Sequence, residues 1–562
     1  MRSRADALAH LTQDTFDLLV IGGGITGAGV ALDAATRGFS VALVERDDWS
    51  SGTSSRSSKM IHGGLRYLEN FDLGLVREAL LERELLARLA PHLVKPLPFL
   101  VTAFEGKRRD RRIGVGLNMY DVMARRGLRR GKRDRDGDGE PDFWSPDRHR
   151  TIDGQEVLEL VPALASREPT SAYLFYDCQT DDSRMVLTVL GEAERFGSVC
   201  MNGARAVEVT ERNDRAAGAI CEEAESGERF EIRADSVVNA TGVWADRLRT
   251  EELREVGVTS IRPSRGTHIL IDRDRLPMKA AAIIPAGGGR GIFVLPWLGQ
   301  TLVGTTDNDY DGDIDHVRPS DVDVRYLLDA VNEFFDSDFG IEDVAGAYAG
   351  VRPLISGSDG DEKKSVDISR KAELYETPSG MLTITGGKFT TWRRMAKMTV
   401  DRLVEREFRD APCKTDQIPF GYPVEISQLR EIEGLSPIVM QHLANRYGLF
   451  AERILDMCEQ RPDLCERIVD GMPDIMAEVV VAARFEQARS VGDVLLRRTR
   501  LGLLCARRLA DDPKVAKRVA KLMGSELGWG MRRTRRETDT WREVVAAEGI
   551  VANAAAIEAS AA

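Results

Sequence analysis

The residues most able to do chemistry stand near the start of the chain. Gly22-x-Gly24-x-x-Gly27 sets three glycines at the spacing a dinucleotide pyrophosphate requires. One serves a tight turn, one lets backbone approach the phosphates, and one allows close helix–strand packing. The helix that opens there, through Ile25 and Thr26, offers unpaired N–H groups and a positive dipole end to that anion. Glu45 sits where a carboxylate accepts hydrogen bonds from an adenosine ribose, and its charge opposes a 2′-phosphate. The glycines alone do not tell which dinucleotide is bound. A second run, SSGTSSRSSKMIHGGLRYL from Ser50 to Leu68, clusters hydroxyls and glycines and carries His62, Arg66 and Tyr67 at its end. Backbone of that kind passes close to a ring system, and a generic Ser/Gly loop does not explain the three side chains that follow. Histidine is the natural acid–base group near neutral pH, and the chain holds seven. Arg352, in AGVRPL, is flanked by apolar residues and Pro353, which predicts a partly buried guanidinium. Such a charge must meet an acidic side chain or a bound anion, and the anion is the favoured reading.

The elements that place these residues follow from pattern. FDLLVI (16–21) is an apolar run suited to a buried parallel strand; a small-residue helix stops at Gly38, and a second strand, FSVALVE, ends at Glu45. VREALLERELLARLA is helical up to Pro91. Alternating segments ARAVEVTER and RFEIRADSVVNA predict an antiparallel meander returning to a buried strand, and mixed strands continue to about 306. Residues 410–423 have the composition of a linker, and the chain beyond reads as helical to about 547.

At 562 residues the chain predicts two or three domains, and its 43% hydrophobic and 30% charged content is that of a globular protein. A net charge of −12 argues against nucleic-acid binding, which needs a basic footprint. The seven cysteines form no C-x-x-C pair, so no metal site is expected and they read as reduced thiols of a cytoplasmic protein. Neither a signal peptide nor a run of about 20 apolar residues is present, so any membrane contact is expected to be peripheral.

The Ser50–Leu68 run resembles the flavin-contacting segment of FAD-dependent, quinone-linked glycerol-3-phosphate dehydrogenases. So do DCQTDDSRMVL (177–187), VNATGVWAD (238–246), SRGTHI (264–269), PWLGQTLVGTTD (296–307), YAGVRPL (348–354) and TITGGKFTTWRRMA (383–396). LLRRTRLGLL (495–504) and ELGW (526–529) resemble the family's helical C-terminal domain. The resemblance implies an α/β plus α+β protein: a Rossmann-like FAD-binding domain of glutathione-reductase/D-amino-acid-oxidase type, a mixed-sheet substrate domain and an all-α C-terminal domain. The expected boundaries are 1–90, 160–255 and 345–405 for the first, 91–159 and 256–344 for the second, and 410–562 for the third. Implied FAD contacts begin with Gly22, Gly24, Ile25, Thr26, Gly27, Glu45 and Arg46. They continue through Thr53, Ser54, Ser55, Ser57, Ser58, Lys59, His62, Gly63 and Gly64, then Val207, Thr241, Gly242, Gly387, Lys388, Phe389 and Thr390, with Thr391 beside the last.

The implied substrate is glycerol 3-phosphate. Its dianion suits arginine forks, and the resemblance points to Arg66, Arg352 and Arg370, with Tyr67 and Lys388 as further donors. Hydride leaves C2 for the flavin while a base removes the hydroxyl proton. His268 is the expected base, His62 the alternative or a flavin support, and Arg352 counts with the catalytic set. The implied acceptor is a quinone at the inner face of the cell membrane; an oxygen-dependent oxidase producing hydrogen peroxide is the alternative, and homo-oligomerisation is left open. Residues 107–133 add a hint of their own: eleven Lys and Arg interleave with Ile113, Val115, Leu117, Met119, Tyr120, Val122, Met123 and Leu128. A basic amphipathic segment of this kind can rest on anionic lipid. The acidic loop after it starts like a calcium loop but has Ser145 where a bidentate Glu belongs, so no metal is assigned.

Overall fold

A computed structural model describes residues 2–65, 72–104, 111–128, 148–248, 261–287, 290–355 and 371–552. The run 16–21 forms the strand Thr15–Ile21, and its near-continuous burial follows from its place inside a parallel sheet. Arg229–Asn239 lies on one side of it and Val41–Val44 on the other, both parallel to it. Val199–Met201 and Leu382–Gly386 extend the parallel set, and Ala204–Arg212, Arg215–Glu223 and Ala372–Glu376 complete eight strands. Helix Ile25–Thr36 runs beneath, between helices Asp182–Arg195 and Trp392–Arg406. Its small residues are needed because a Cβ on Gly29 would stand 2.5 Å from the Trp392 ring.

A second sheet of ten strands carries the other half of the site. Its longest pairs are antiparallel: Ile261–Asp272 with Val344–Ile355, and Lys95–Phe104 with Pro169–Gln179. Strands 169–179 and 344–355 were expected with the cofactor segments but pair into this sheet. Strand periodicity shows which face is buried, not which neighbour a strand chooses. Helix Asp321–Phe335 covers one face with Val324, Leu327, Leu328, Val331 and Phe335, an i, i+3, i+4, i+7 stripe.

Past residue 410 the chain is helical, including Pro437–Tyr447, Ala451–Gln460, Met476–Phe485, Pro513–Leu527 and Met531–Glu548. The stretch 410–423 is strapped down rather than loose: Phe420 is fully buried, and its N–H donates to the Leu89 carbonyl at 2.8 Å. Buried ion pairs seal the helical domain to the rest, notably Asp48 with Arg497 and Arg498, and Arg184 with Glu486. Within the basic segment, helix Arg111–Leu128 turns Leu117 and Tyr120 into the protein and leaves Val115 and Val122 exposed. The rest of that segment and the acidic loop lie outside the described residues. Among the described residues no helix is long and apolar enough to cross a membrane, and all seven cysteines are free.

Candidate active site

The glycine turn opens a cavity of about 530 Å³ between the two sheets. Gly22 has φ +120°, and a Cβ there would stand 2.6 Å from the Ala240 carbonyl oxygen. A Cβ on Gly27 would come within 1.9 Å of the Gly22 carbonyl oxygen, so this glycine serves packing and does not itself line the space. Gly24 caps helix 25–36 without a side chain of its own; instead Ser54 Oγ accepts the Ile25 N–H at 3.0 Å. The first helical turn therefore faces the cavity with N–H groups that have no intrahelical acceptor. Glu45 accepts the N–H of Gly23 at 2.7 Å and of Asp47 at 2.9 Å, and burial raises its pKa to about 7. Arg46 lies 4.5 Å over the Trp244 ring and pairs with Asp315 at 2.6 Å.

The far end brings the candidate chemistry together. His268, on strand 261–272, is buried and stands opposite Tyr348 across the strand pair, their rings stacked at 4.8 Å. Its Nε2 lies 2.9 Å from Ser58 Oγ, and its Nδ1 has no hydrogen-bond partner among the described residues. Burial, reinforced by the Lys59 and Arg352 charges, holds its pKa well below the usual histidine range, so the imidazole is neutral at pH 7 and able to accept a proton. Gly304 is obligatory beside it, since a Cβ there would stand 2.4 Å from the imidazole. Arg352 donates to Asp307 Oδ1 at 3.2 Å and Thr305 Oγ1 at 3.0 Å while lining the cavity. It thus meets an acidic side chain of the protein, where its flanking residues favoured a bound anion. The His62 ring lies edge-on to Phe293, and the His62 backbone N–H donates to Thr390 Oγ1 at 3.2 Å.

Ile25, Thr26, Thr53, Ser54, Ser57, Ser58, Val207, Thr241, Gly242, Gly387, Lys388, Phe389 and Thr390 also line this space. Ser55, Lys59, Gly63 and Gly64 do not. Lys59 is fully buried on Asp182 at 2.8 Å, with the Ser55 carbonyl accepting from it, and Gly63 donates to Tyr120 Oη at 2.9 Å. Ser55 and Lys59 thus brace the turn from behind. Thr391 is buried at the start of helix 392–406. Arg66, Tyr67 and Arg370 lie outside the described residues. Sequence reasoning missed Tyr348, Asp307 and Trp244, although each falls in a motif already singled out. The described lining carries six cationic side chains (Arg46, Arg56, Arg205, Arg247, Arg352, Lys388) against one acid, Glu45, a balance suited to anionic ligands.

The glycine cradle, the helix turn that faces the cavity and the cationic lining fit a flavin dinucleotide. Comparison with known proteins agrees. Residues 17–402 match the FAD dependent oxidoreductase family profile, and 381–556 match the C-terminal domain of alpha-glycerophosphate oxidase. Glycerol-3-phosphate dehydrogenase 2 of Mycobacterium tuberculosis (strain ATCC 25618 / H37Rv) is 37% identical over 554 residues, covering 97% of this chain and 90% of the relative. The mitochondrial glycerol-3-phosphate dehydrogenase of Mus musculus is 36% identical over 551 residues, covering 93% and 72%. The X-ray structure of glycerol-3-phosphate dehydrogenase from Bacillus halodurans complexed with FAD superposes with a TM-score of 0.75 at 25% identity, covering 98% of both chains.

Proposed function

The chain belongs to the FAD-dependent glycerol-3-phosphate dehydrogenase family, and we propose that it oxidises sn-glycerol 3-phosphate to dihydroxyacetone phosphate and passes the electrons to a membrane quinone. That it is an FAD-dependent oxidoreductase acting on glycerol 3-phosphate follows from the family itself. The observation that carries the residue assignments is the meeting, in one cationic cavity, of a neutral buried imidazole and a cavity-lining guanidinium.

Gly22, Gly24 and the first turn of helix 25–36 would hold the pyrophosphate, Glu45 and Arg46 the adenosine, and Ser57, Ser58 and Thr390 the flavin end. When bound, the flavin supplies the acceptor for the C2 hydride. Arg352 anchors the substrate phosphate with a planar fork that Asp307 and Thr305 keep in orientation. Lys388, which also lines the cavity, adds positive charge, and Arg66, Tyr67 and Arg370 complete the substrate set. With the phosphate fixed, the C2 hydroxyl presents its proton to His268. The imidazole takes that proton as the hydride departs, which leaves a ketone and a protonated histidine. Ser58 holds the ring by its Nε2 edge. His62 supports the flavin side through Thr390.

Peripheral attachment to the inner face of the cell membrane is supported by the basic content of residues 107–133, with Val115 and Val122 turned outward. The match of residues 381–556 to an oxidase domain favours a second reading, an oxygen-dependent oxidase releasing hydrogen peroxide. Turnover of purified enzyme with a soluble quinone, followed beside a peroxide assay in air, separates the two. Quinone reduction with little peroxide is expected, and rapid peroxide formation without quinone would establish the oxidase.

A further inference from the structure

Arg500 comes from the helical C-terminal domain, yet its guanidinium ends behind the turn that lines the cavity. Its side chain is 1% exposed, and its backbone, at φ +66°, is left-handed, which a residue with a Cβ adopts only when its surroundings hold it there. It donates to the Ser55 carbonyl at 2.9 Å and to Asp182 Oδ1 at 3.2 Å. Asp182, fully buried, also accepts the N–H and the hydroxyl of Ser57 at 3.0 and 2.7 Å and the Lys59 ammonium at 2.8 Å. Lys59 returns a hydrogen bond to the Ser55 carbonyl at 2.6 Å. Both ends of the turn 55–59 are therefore tied to one carboxylate, Lys59 directly and the Ser55 carbonyl through Arg500 and Lys59.

That turn presents the reacting edge of the site. Ser58 Oγ holds His268, the Tyr348 hydroxyl donates to the Ser57 carbonyl at 2.8 Å, and the Tyr348 ring lies against His268. The Lys59 ammonium stands 4.6 Å from the centre of the Tyr348 ring. Removing a buried charge from such a network leaves its partners unsatisfied, so displacement of the turn is the expected response.

We propose that Arg500 is a positioning residue for the base: through Ser55, Asp182 and Lys59 it fixes the turn 55–59 and so holds Ser58, Tyr348 and His268 in register. The helical domain thereby takes part in the chemistry of a site it does not line. Among the charged groups around His268, Lys59 and Arg352 face it directly, Asp181, Asp182 and Arg500 stand behind Lys59, and Asp307 stands behind Arg352. Burial lowers the Lys59 pKa to about 7, so Lys59 is charged over the range in which His268 titrates. The inference rests on His268 as the base.

Arg500→Met, made in the full-length holoenzyme, removes the charge and keeps the bulk. Expected are a kcat lower by about tenfold or more and a KM changed by less than about threefold, with about half of the loss regained in Arg500→Lys. The Kd of the apoprotein for FAD, read by flavin fluorescence quenching, rises about fivefold or more as the turn loosens. Arg507→Met is the comparison: Arg507 braces the same domain through the Ile341 and Val344 carbonyls and touches nothing in the turn, so it lowers Tm but leaves kcat within about twofold. Lys59→Met leaves Asp182 paired with Arg500 and moves the acid limb of kcat/KM to higher pH, since a cation that disfavours protonated His268 is gone. Arg500→Met with kcat within about twofold of the parent overturns the proposal, as do equal losses in Arg500→Met and Arg507→Met. If Arg500→Met yields no folded protein, Arg500→Lys decides: a kcat lowered by about threefold or more at unchanged KM supports the link, and a kcat within about twofold overturns it. A His268→Gln enzyme of full activity defeats the base itself, whereas an inactive one beside a normal Arg500→Met defeats only the clamp.

Discussion

Arg352 carries the claim that the site is built for a phosphorylated alcohol. Replacing it with alanine removes a charged fork from the cavity wall and leaves Asp307 with one donor fewer. A hydrogen bond to a charged group is worth about 1.5–3 kcal/mol, so two to the phosphate amount to about 3–6 kcal/mol. The side chain is 20% exposed, and solvent screening places the expected loss toward the lower half of that range. The prediction is a fall in kcat/KM for glycerol 3-phosphate of about two to three orders of magnitude. Arg352→Lys, a point charge without the fork, recovers only part of it. The assay is steady-state turnover with an artificial acceptor on two substrates, glycerol 3-phosphate and unphosphorylated glycerol. Discrimination between them should collapse, because the variant loses an interaction only the phosphate makes. A proportional loss on both substrates would refute the phosphate role and place Arg352 in the chemical step; no loss on either would remove it from the site.

The other predictions concern the base, the cradle and the domain seam. His268→Gln should lower kcat by about 10²–10⁴-fold with FAD still bound, and the parent's kcat/KM should lose its acid limb only below about pH 6.5, because the folded state holds His268 neutral; a limb near neutrality would count against it. Gly27→Ala places a methyl 1.9 Å from the Gly22 carbonyl oxygen, so purified protein should carry little FAD by absorbance, and a normal flavin content would contradict the packing. Asp48, with its pKa lowered to about 2 by Arg498 and Arg497, contributes about 2 kcal/mol above pH 4 that is lost as pH falls through the folded value. Asp48→Asn should therefore melt earlier than the parent at pH 7, with the difference shrinking on acidification, as read by thermal denaturation.

The first β-α-β unit was legible because its signals are local: an apolar run, three spaced glycines and a small-residue helix fall within one short stretch of chain. The glycine roles could be assigned in advance for the same reason. What escaped depends on contacts between distant segments. Asp307 reaches Arg352 only because strand 344–355 pairs with strand 261–272, and that pairing also puts Tyr348 against His268. The basic segment reads as amphipathic, but Tyr120 turns inward to donate to Asp177 at 2.8 Å, a partner no periodicity reveals. Lys59 looked like a cofactor contact by its place among hydroxyls and is instead a buried strut on Asp182, itself singled out only as part of a motif. The helical domain gave no readable chemistry, because its links to the site run through groups of other segments: Arg500 reaches a backbone carbonyl and the Asp182 carboxylate, and Glu548 pairs with the cavity-lining Arg56.

The central claim, that this cavity removes hydride and proton from glycerol 3-phosphate, is tested most directly by anaerobic mixing of the oxidised holoenzyme with that substrate. The account predicts loss of the visible flavin band at a rate that saturates with substrate, with stoichiometric dihydroxyacetone phosphate and no response to glycerol at equal concentration. An unchanged flavin spectrum would contradict it.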